Sequence, residues 1–332
     1  MTEEFDAIII GAGEAGTQVE SMVVPTGKKV ALIYQDPYGG TCLNVGCIPS
    51  KFMIHRARIA HQVRTAARYH VSASAPTVDL AAIVKEKDER LKKEREGMLE
   101  DANKQKNLTL IKGQARFTGD HQITVQGRIL HADKIFLATG QRPVVPHIEG
   151  LDRVQYYTNE NVMNLTELPS HLVILGGGYI GCELGQCYRR YGSEVTIVQS
   201  NAHLVPNEEP EISKVIAQAF SDEGLNLLLG YKASRIEPTE QGIRLTVQNK
   251  AGDERTVAGS HLFVAIGRQS NGDTLDLQVA GIETDDKGNI KVNDYLETNI
   301  SGIYAIGDAN GQQPFTPACL EEGKVAYTNA FG

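Results

Sequence analysis

The sequence predicts an α/β protein containing two doubly wound parallel sheets, and a repeated pattern predicts it. Phe5–Gly16, FDAIIIGAGEAG, is a short apolar run closed by Gly11, Gly13 and Gly16. His171–Gly185, HLVILGGGYIGCELG, repeats that arrangement with Gly176, Gly178 and Gly181. Each copy leads into a second apolar run, KKVALIY at 28–34 and SEVTIVQ at 193–199. Strand, glycine turn, helix and strand in that order form a βαβ unit, and the chain has two.

The glycines have separate physical tasks. The first permits a tight turn, the second lets the backbone approach a pyrophosphate, and the third lets helix and strand pack closely. The N-terminus of the following helix favours the negative charge. One G-x-G-x-x-G is a weak signal, but two in this setting imply two dinucleotides and electrons passing between them. IFLATGQRP (135–143) and LFVAIGRQS (262–270) read as the closing strands of the two units, each ending in Ala-x-Gly and a basic residue. ETNISGIYAIGDAN (297–310) adds a late apolar strand ending in Gly307-Asp308. An Asp at the C-terminal end of a parallel strand faces the ligand crevice, where it can accept a hydrogen bond from a ribityl or ribose hydroxyl. The plainer alternative for Asp308 is a turn or helix N-cap.

Composition narrows the function classes. The chain has 332 residues and a formal net charge of −8, with no obviously basic face, which argues against nucleic-acid binding. Its length suits roughly two domains of ~150 residues. The acidic start MTEEFDAIII fits no signal peptide, and no apolar stretch approaches ~18 residues, so a cytoplasmic protein is expected. Lys85–Asp101, KEKDERLKKEREGMLED, reads as a solvated amphipathic helix with Leu80, Ile83, Val84, Leu91 and Met98 on its apolar face. Five cysteines in a cytosolic chain argue against a framework of structural disulfides. Zinc is disfavoured as well, because only His55 lies near Cys42 and Cys47 and no second ligand pair follows.

At these residues the chain resembles the class I pyridine nucleotide–disulfide oxidoreductases, the family of dihydrolipoamide dehydrogenase, glutathione reductase and mercuric reductase. GGTCLNVGCIPSK (39–51) is the most specific match, and the other motifs follow in family order along nearly the whole chain. The resemblance implies two Rossmann-like domains, an FAD-binding domain over 1–148 and 281–332 with an NAD(P)H-binding domain, 149–280, inserted in it. It implies FAD contacts at Gly11, Gly13, Gly16, Asp36, Gly40, Thr41, Lys51, Ala115, Thr139, Gly140, Arg268 and Asp308. It implies NAD(P) contacts at Gly176, Gly178, Tyr179, Ile180, Glu183, Gln199 and Gly267.

The cysteines can be sorted by geometry. Cys182 and Cys187 share the five-residue spacing of Cys42 and Cys47 but lie in a helix-like stretch. Five helical residues advance ~7.5 Å and turn ~140°. A disulfide needs Cα atoms within about 7 Å and converging Cβ vectors, so these two read as packing residues. Around Cys42 and Cys47, Gly39, Gly40 and Gly46 loosen the backbone and Pro49 marks the first turn of a helix. A helix N-terminus and Lys51 lower a nearby thiol pKa, which suits a redox pair. By resemblance, Cys42 exchanges with substrate and Cys47 lies against the flavin. Lys51 stabilises charge on the reduced flavin, Glu183 is its carboxylate partner, and Tyr179 is a lid over the nicotinamide.

Several positions depart from the family pattern. The strand expected to end in a ribose-binding acid ends Tyr34-Gln35-Asp36, leaving Asp36 as the candidate. No Arg occurs from Gln199 to Pro206 to grip a 2′-phosphate, which favours NADH. Family members continue into a C-terminal interface domain that supplies dimer contacts and a His–Glu pair. Here the last histidine is His261, so a truncated chain is expected, with a homodimeric full-length form. The expected function is an FAD-dependent NAD(P)H:disulfide oxidoreductase most like dihydrolipoamide dehydrogenase, acting on a small disulfide or other electron acceptor. A mercuric-reductase-like enzyme is the alternative within the class. A non-catalytic flavin- or nucleotide-binding module is the alternative outside it, although a binder needs none of Cys42, Cys47, Lys51 and Glu183.

Overall fold

The apolar run of the first fingerprint becomes the strand Ala7–Ile10, buried along its whole length. The computed structural model describes residues 1–332 and divides them into two units. The first comprises 1–44, 91–142 and 268–332; the second comprises 45–90 and 143–267. The sequence places domain boundaries at 148/149 and 280/281, and the units divide at 142/143 and 267/268, with 45–90 joining the second.

In the first unit Ala7–Ile10 is the middle of a five-stranded sheet. Val30–Tyr34 and then Leu108–Lys112 lie to one side, Ile135–Leu137 and then Ile303–Ala305 to the other, all parallel. Ile8 pairs with Ala31 on one flank and Ile135 on the other. Successive side chains along a strand point to opposite faces. Accordingly Ile8, Ile10, Ala31, Ile33, Ile135 and Leu137 enter one core, and Ala7, Ile9, Val30, Leu32 and Phe136 enter another. A sheet covered on both faces needs continuous apolar strands, which is why these segments do not alternate in polarity. The helices Glu14–Val23 and Thr316–Phe331 cover one face. Thr2–Glu4, Arg128–His131, Gln122–Val125 and Arg116–Gly119 form a separate four-stranded sheet.

The second unit repeats this plan. His171–Leu175 is central, with Glu194–Gln199 and Asn226–Leu229 on one side and His261–Val264 and Tyr156–Tyr157 on the other, again all parallel. Leu172 and Ile174 enter the core shared with Tyr188, Val195 and Ile197, while Val173 and Leu175 face Leu245, Leu262 and Val264. An antiparallel sheet of Tyr231–Thr239, Gly242–Asn249 and Glu254–Gly259 supplies part of that second core.

The helix Cys47–Thr65 packs in this unit through Phe52, Met53 and Ala57. The Tyr191 hydroxyl donates to the Met53 carbonyl at 2.7 Å and ties it to the helix Tyr179–Tyr191.

The charge-rich segment forms the helix Leu80–Asn103, and Leu80, Val84 and Leu91 are buried as expected. Two of its residues correct the sequence reading. Met98 is exposed, and Lys87 is only 2% exposed. Lys87 Nζ donates to the Met163 carbonyl at 3.0 Å and Asn164 Oδ1 at 2.6 Å, and it lies 2.9 Å from Asp88. Those acceptors come from the short helical turn Val162–Asn164, far along the chain, so nothing in the local charge pattern announces them. No helix is long and apolar enough to cross a membrane.

Candidate active site

Each fingerprint forms the same backbone cradle. Gly11 ends its strand at φ +114°, and an added Cβ would lie 2.2 Å from the Ala138 carbonyl oxygen. A Cβ at Gly16 would lie 1.9 Å from the Gly11 oxygen. In the second unit Gly176 has φ +108° and its Cβ would lie 2.2 Å from the Ala265 oxygen; at Gly181 the distance to the Gly176 oxygen is 2.0 Å. Any side chain there would force the helix off the strand, so glycine is required for close packing. The two helices begin at Gly13 and Gly178, neither of which offers a side-chain cap. An uncapped helix N-terminus directly after such a turn suits a pyrophosphate.

The first cradle has further features of a ligand site. Gly40, at φ +64°, faces Gly13 so closely that a Cβ on it would lie 2.6 Å from Gly13 Cα. Thr139 Oγ1 is buried without a hydrogen-bond partner, an arrangement that costs energy until something binds it. Asp308, in the turn Gly307–Asn310, lies 3.9 Å from Arg268 Nε. Burial pushes the Asp308 carboxyl up, against the pull of the Arg268 guanidinium. Arg268 also donates to the Gln141 carbonyl and, at 3.4 Å, to the Thr41 hydroxyl. These residues fit a flavin dinucleotide: backbone for phosphates, an orphaned hydroxyl, and an acid for a sugar-alcohol chain. Gly140 has φ +66° beside Thr139, and Ala115 is buried in the core behind the sheet. Asp36 is exposed and ion-paired with Lys112, two residues past the strand end.

GGTCLNVGCIPSK is two helices with a break between them. Cys42 lies in Gly40–Val45, half-buried, and the Thr316 hydroxyl lies 3.5 Å from its sulfur. Cys47 is the exposed first residue of the helix that follows Gly46. One turn later Lys51 Nζ donates to both oxygens of Glu183, at 2.7 and 2.6 Å. Glu183 shares its helix with Tyr179, whose hydroxyl donates to Glu208 and whose pKa that bond raises. Ile180 follows on the same first turn and is half-buried.

The second cradle is closed differently. Gln199, 6% exposed at the end of its strand, accepts from the Gly177 N–H at 3.1 Å. Gly267, at φ +143°, ends the Ala-x-Gly run. Cys182 and Cys187 are buried in the helix Tyr179–Tyr191, and burial pushes both thiols up to about 12. They are packing residues. Sequence reasoning did not single out Glu208, Thr316 or Glu322; each is an ordinary polar residue whose partner lies far along the chain.

Two dinucleotide cradles in one chain, with a cysteine pair and a Lys–Glu ion pair, define a class of electron-transferring flavin and nicotinamide proteins. The chain belongs to the pyridine nucleotide-disulphide oxidoreductase family, whose profile matches residues 5–323. It is 34% identical over 330 residues to a mercuric reductase of Lysinibacillus sphaericus, covering 99% of this chain and 60% of that protein. It is 32% identical over 336 residues to a dihydrolipoyl dehydrogenase of Chlamydia pneumoniae, covering 100% of this chain and 71% of that one. The Cu(II) complex of the HOCl-induced flavoprotein disulfide reductase RclA from Escherichia coli superposes with a TM-score of 0.88 at 31% identity, covering 100% of this chain and 72% of that one. The chain thus spans less than two thirds of the length of the mercuric reductase.

Proposed function

We infer that this chain carries out the electron-transfer chemistry of an FAD-dependent NAD(P)H:disulfide oxidoreductase. The overall reaction would be NAD(P)H + H⁺ + RSSR → NAD(P)⁺ + 2 RSH. The carrying observation is the Lys51–Glu183 ion pair one helical turn from Cys47, on the helix that opens the second cradle. A protein that only bound nucleotides would need no such pair.

Bound FAD would supply the two-electron carrier between NAD(P)H and the cysteines. Gly11, Gly13, Gly16, Gly40, Thr41, Ala115, Thr139, Gly140, Arg268 and Asp308 would hold it, with Asp36 a candidate for the ribose and Lys51 for the ring. Gly176, Gly178, Tyr179, Ile180, Glu183, Gln199 and Gly267 would hold the nicotinamide dinucleotide. We assign the first role to residues 1–148 and 281–332, and the second to 149–280. Cys42 would attack the disulfide substrate, forming a mixed disulfide. Cys47 would then displace the second thiol and close the Cys42–Cys47 bond. The helix that begins at Cys47 favours negative charge on that sulfur. Lys51 would add positive charge, and Glu183 would fix its position. Tyr179, 39% exposed with its hydroxyl held by Glu208, would cover an incoming nicotinamide.

The acceptor would be a small disulfide of the lipoamide type, acted on in the cytoplasm, with the full-length form a homodimer. The likeness to the Lysinibacillus protein supports Hg(II) as a second reading of the acceptor. Anaerobic NADH titration of the FAD-loaded protein tests the assignment. Bleaching of the flavin band, followed by a long-wavelength charge-transfer band, is expected. No bleaching would overturn it. Steady-state assays with lipoamide and with Hg(II) then separate the two acceptors.

A further inference from the structure

The turn that carries Asp308 is held from behind by a residue outside the nucleotide fingerprint. On the helix Thr316–Phe331, Cys319 and Glu322 are three residues apart and share a face. Glu322 Oε2 accepts the Gly307 N–H at 2.6 Å and Asn310 Nδ2 at 2.8 Å. Both ends of the turn therefore converge on one oxygen. The Cys319 thiol points a weak donor at Asp308 Oδ1, 3.8 Å away. Gly307, at φ +65°, is so enclosed that a Cβ would lie 3.1 Å from both Ala15 Cβ and Cys319 Sγ. A Cβ on Gly323 would lie 2.8 Å from Gln18 Cγ and 3.3 Å from the Ala15 carbonyl oxygen, so this helix packs closely on Glu14–Val23. That close approach fixes how far Glu322 reaches.

We propose that Glu322 is a positioning residue of the flavin site, clamping Gly307 and Asn310 so that Asp308 keeps its place beside Arg268. This rests on the assignment of the first cradle to FAD. Because both bonds reach a single oxygen, the turn needs an acceptor there and not a charge. Burial, together with the nearby Asp308 carboxylate, pushes the Glu322 carboxyl up, which agrees with that requirement. An amide oxygen in the same place would serve; an aliphatic side chain would leave the Gly307 N–H unsatisfied and Asn310 Nδ2 with only its 3.3 Å bond to the Ala305 carbonyl.

The test is FAD titration of the flavin-free protein as wild type, Glu322→Gln and Glu322→Leu. NADH binding to the second unit is measured alongside as a control for folding. Glu322→Gln is expected to bind FAD within about threefold of wild type, and Glu322→Leu about tenfold or more weakly. NADH binding should be unchanged in both. Should Glu322→Leu fail to fold, Glu322→Ser, too short to reach Gly307, replaces it with the same expected loss. Wild-type affinity in the Leu or Ser variant, or an equal loss in the Gln variant, would overturn the proposal. A wild-type chain that takes up no FAD would overturn the flavin assignment itself.

Discussion

Lys51 and Glu183 lie 132 positions apart in the chain, yet the ammonium contacts both carboxylate oxygens. Their side chains are 60% and 44% exposed, so the pair adds little to stability. Lys51→Met should slow flavin reduction by NADH about ten- to a hundredfold, with an unchanged melting temperature. Stopped-flow absorbance checks the rate; a wild-type rate would remove Lys51 from the mechanism. Cys42→Ser and Cys47→Ser should each abolish disulfide turnover, whereas Cys187→Ala should keep it. Peptide mapping of the oxidised protein should find a single bridge, Cys42–Cys47. The Asp308 and Glu322 carboxyls make a pH prediction. Burial raises both carboxyls in the folded chain, so their contribution to stability is fully present below the ordinary carboxylate range and is lost as pH rises through the raised values. The groups facing them are Arg268 and Cys319, whose thiol is pushed up to about 12. Melting temperature measured from about pH 4 upward should therefore fall less steeply in Glu322→Gln than in wild type. Parallel curves would refute this.

Helices and strands are held at their contact points by glycine and at their ends by arginine. A Cβ at Gly16 or Gly181 would sit 1.9 or 2.0 Å from a backbone oxygen, so each helix must shift to admit it. Gly181→Ala should abolish flavin reduction by NADH while FAD stays bound, and Gly16→Ala should lose FAD, each with a stability cost of about 1–3 kcal/mol. Flavin content after desalting and NADH bleaching separate the two. At the ends of Cys47–Thr65 and Tyr179–Tyr191, Arg64 donates to the Arg190 and Tyr191 carbonyls. Arg189 donates to the Glu223 and Ser193 carbonyls, and Arg190 pairs with the Glu223 carboxylate at 2.6 Å. The arginines line a cavity of about 510 Å³. They nevertheless satisfy carbonyls at negative helix ends, so the cluster is a set of helix caps. With the Arg190 and Glu223 side chains 16% and 13% exposed, Glu223→Ala strands a largely buried guanidinium and should cost about 2–4 kcal/mol. Urea denaturation measures it.

For the whole molecule, the two units share the fingerprint strand at the centre and the second strand beside it, but the edge strand Ile303–Ala305 comes last along the chain in one and Tyr156–Tyr157 first in the other. No Arg or Lys lies between Gln199 and Pro206, and Gln199 itself is committed to the Gly177 N–H. NADH should therefore reduce the flavin faster than NADPH. A tenfold preference for NADPH, ~1.4 kcal/mol, would reverse that order.

The sequence by itself determined what is local and periodic. Apolar runs followed by spaced glycines identify both cradles, because those steric demands act over a few residues. The five-residue spacing of Cys182 and Cys187 inside a helix rules out their pairing for the same reason. What only the tertiary structure decided is which distant polar groups meet. Glu322 reaching Gly307, Glu208 reaching Tyr179, and Lys87 buried on Met163 and Asn164 leave no periodic trace. A hydrogen bond across the fold needs only one donor and one acceptor, placed by packing that no short stretch of chain encodes.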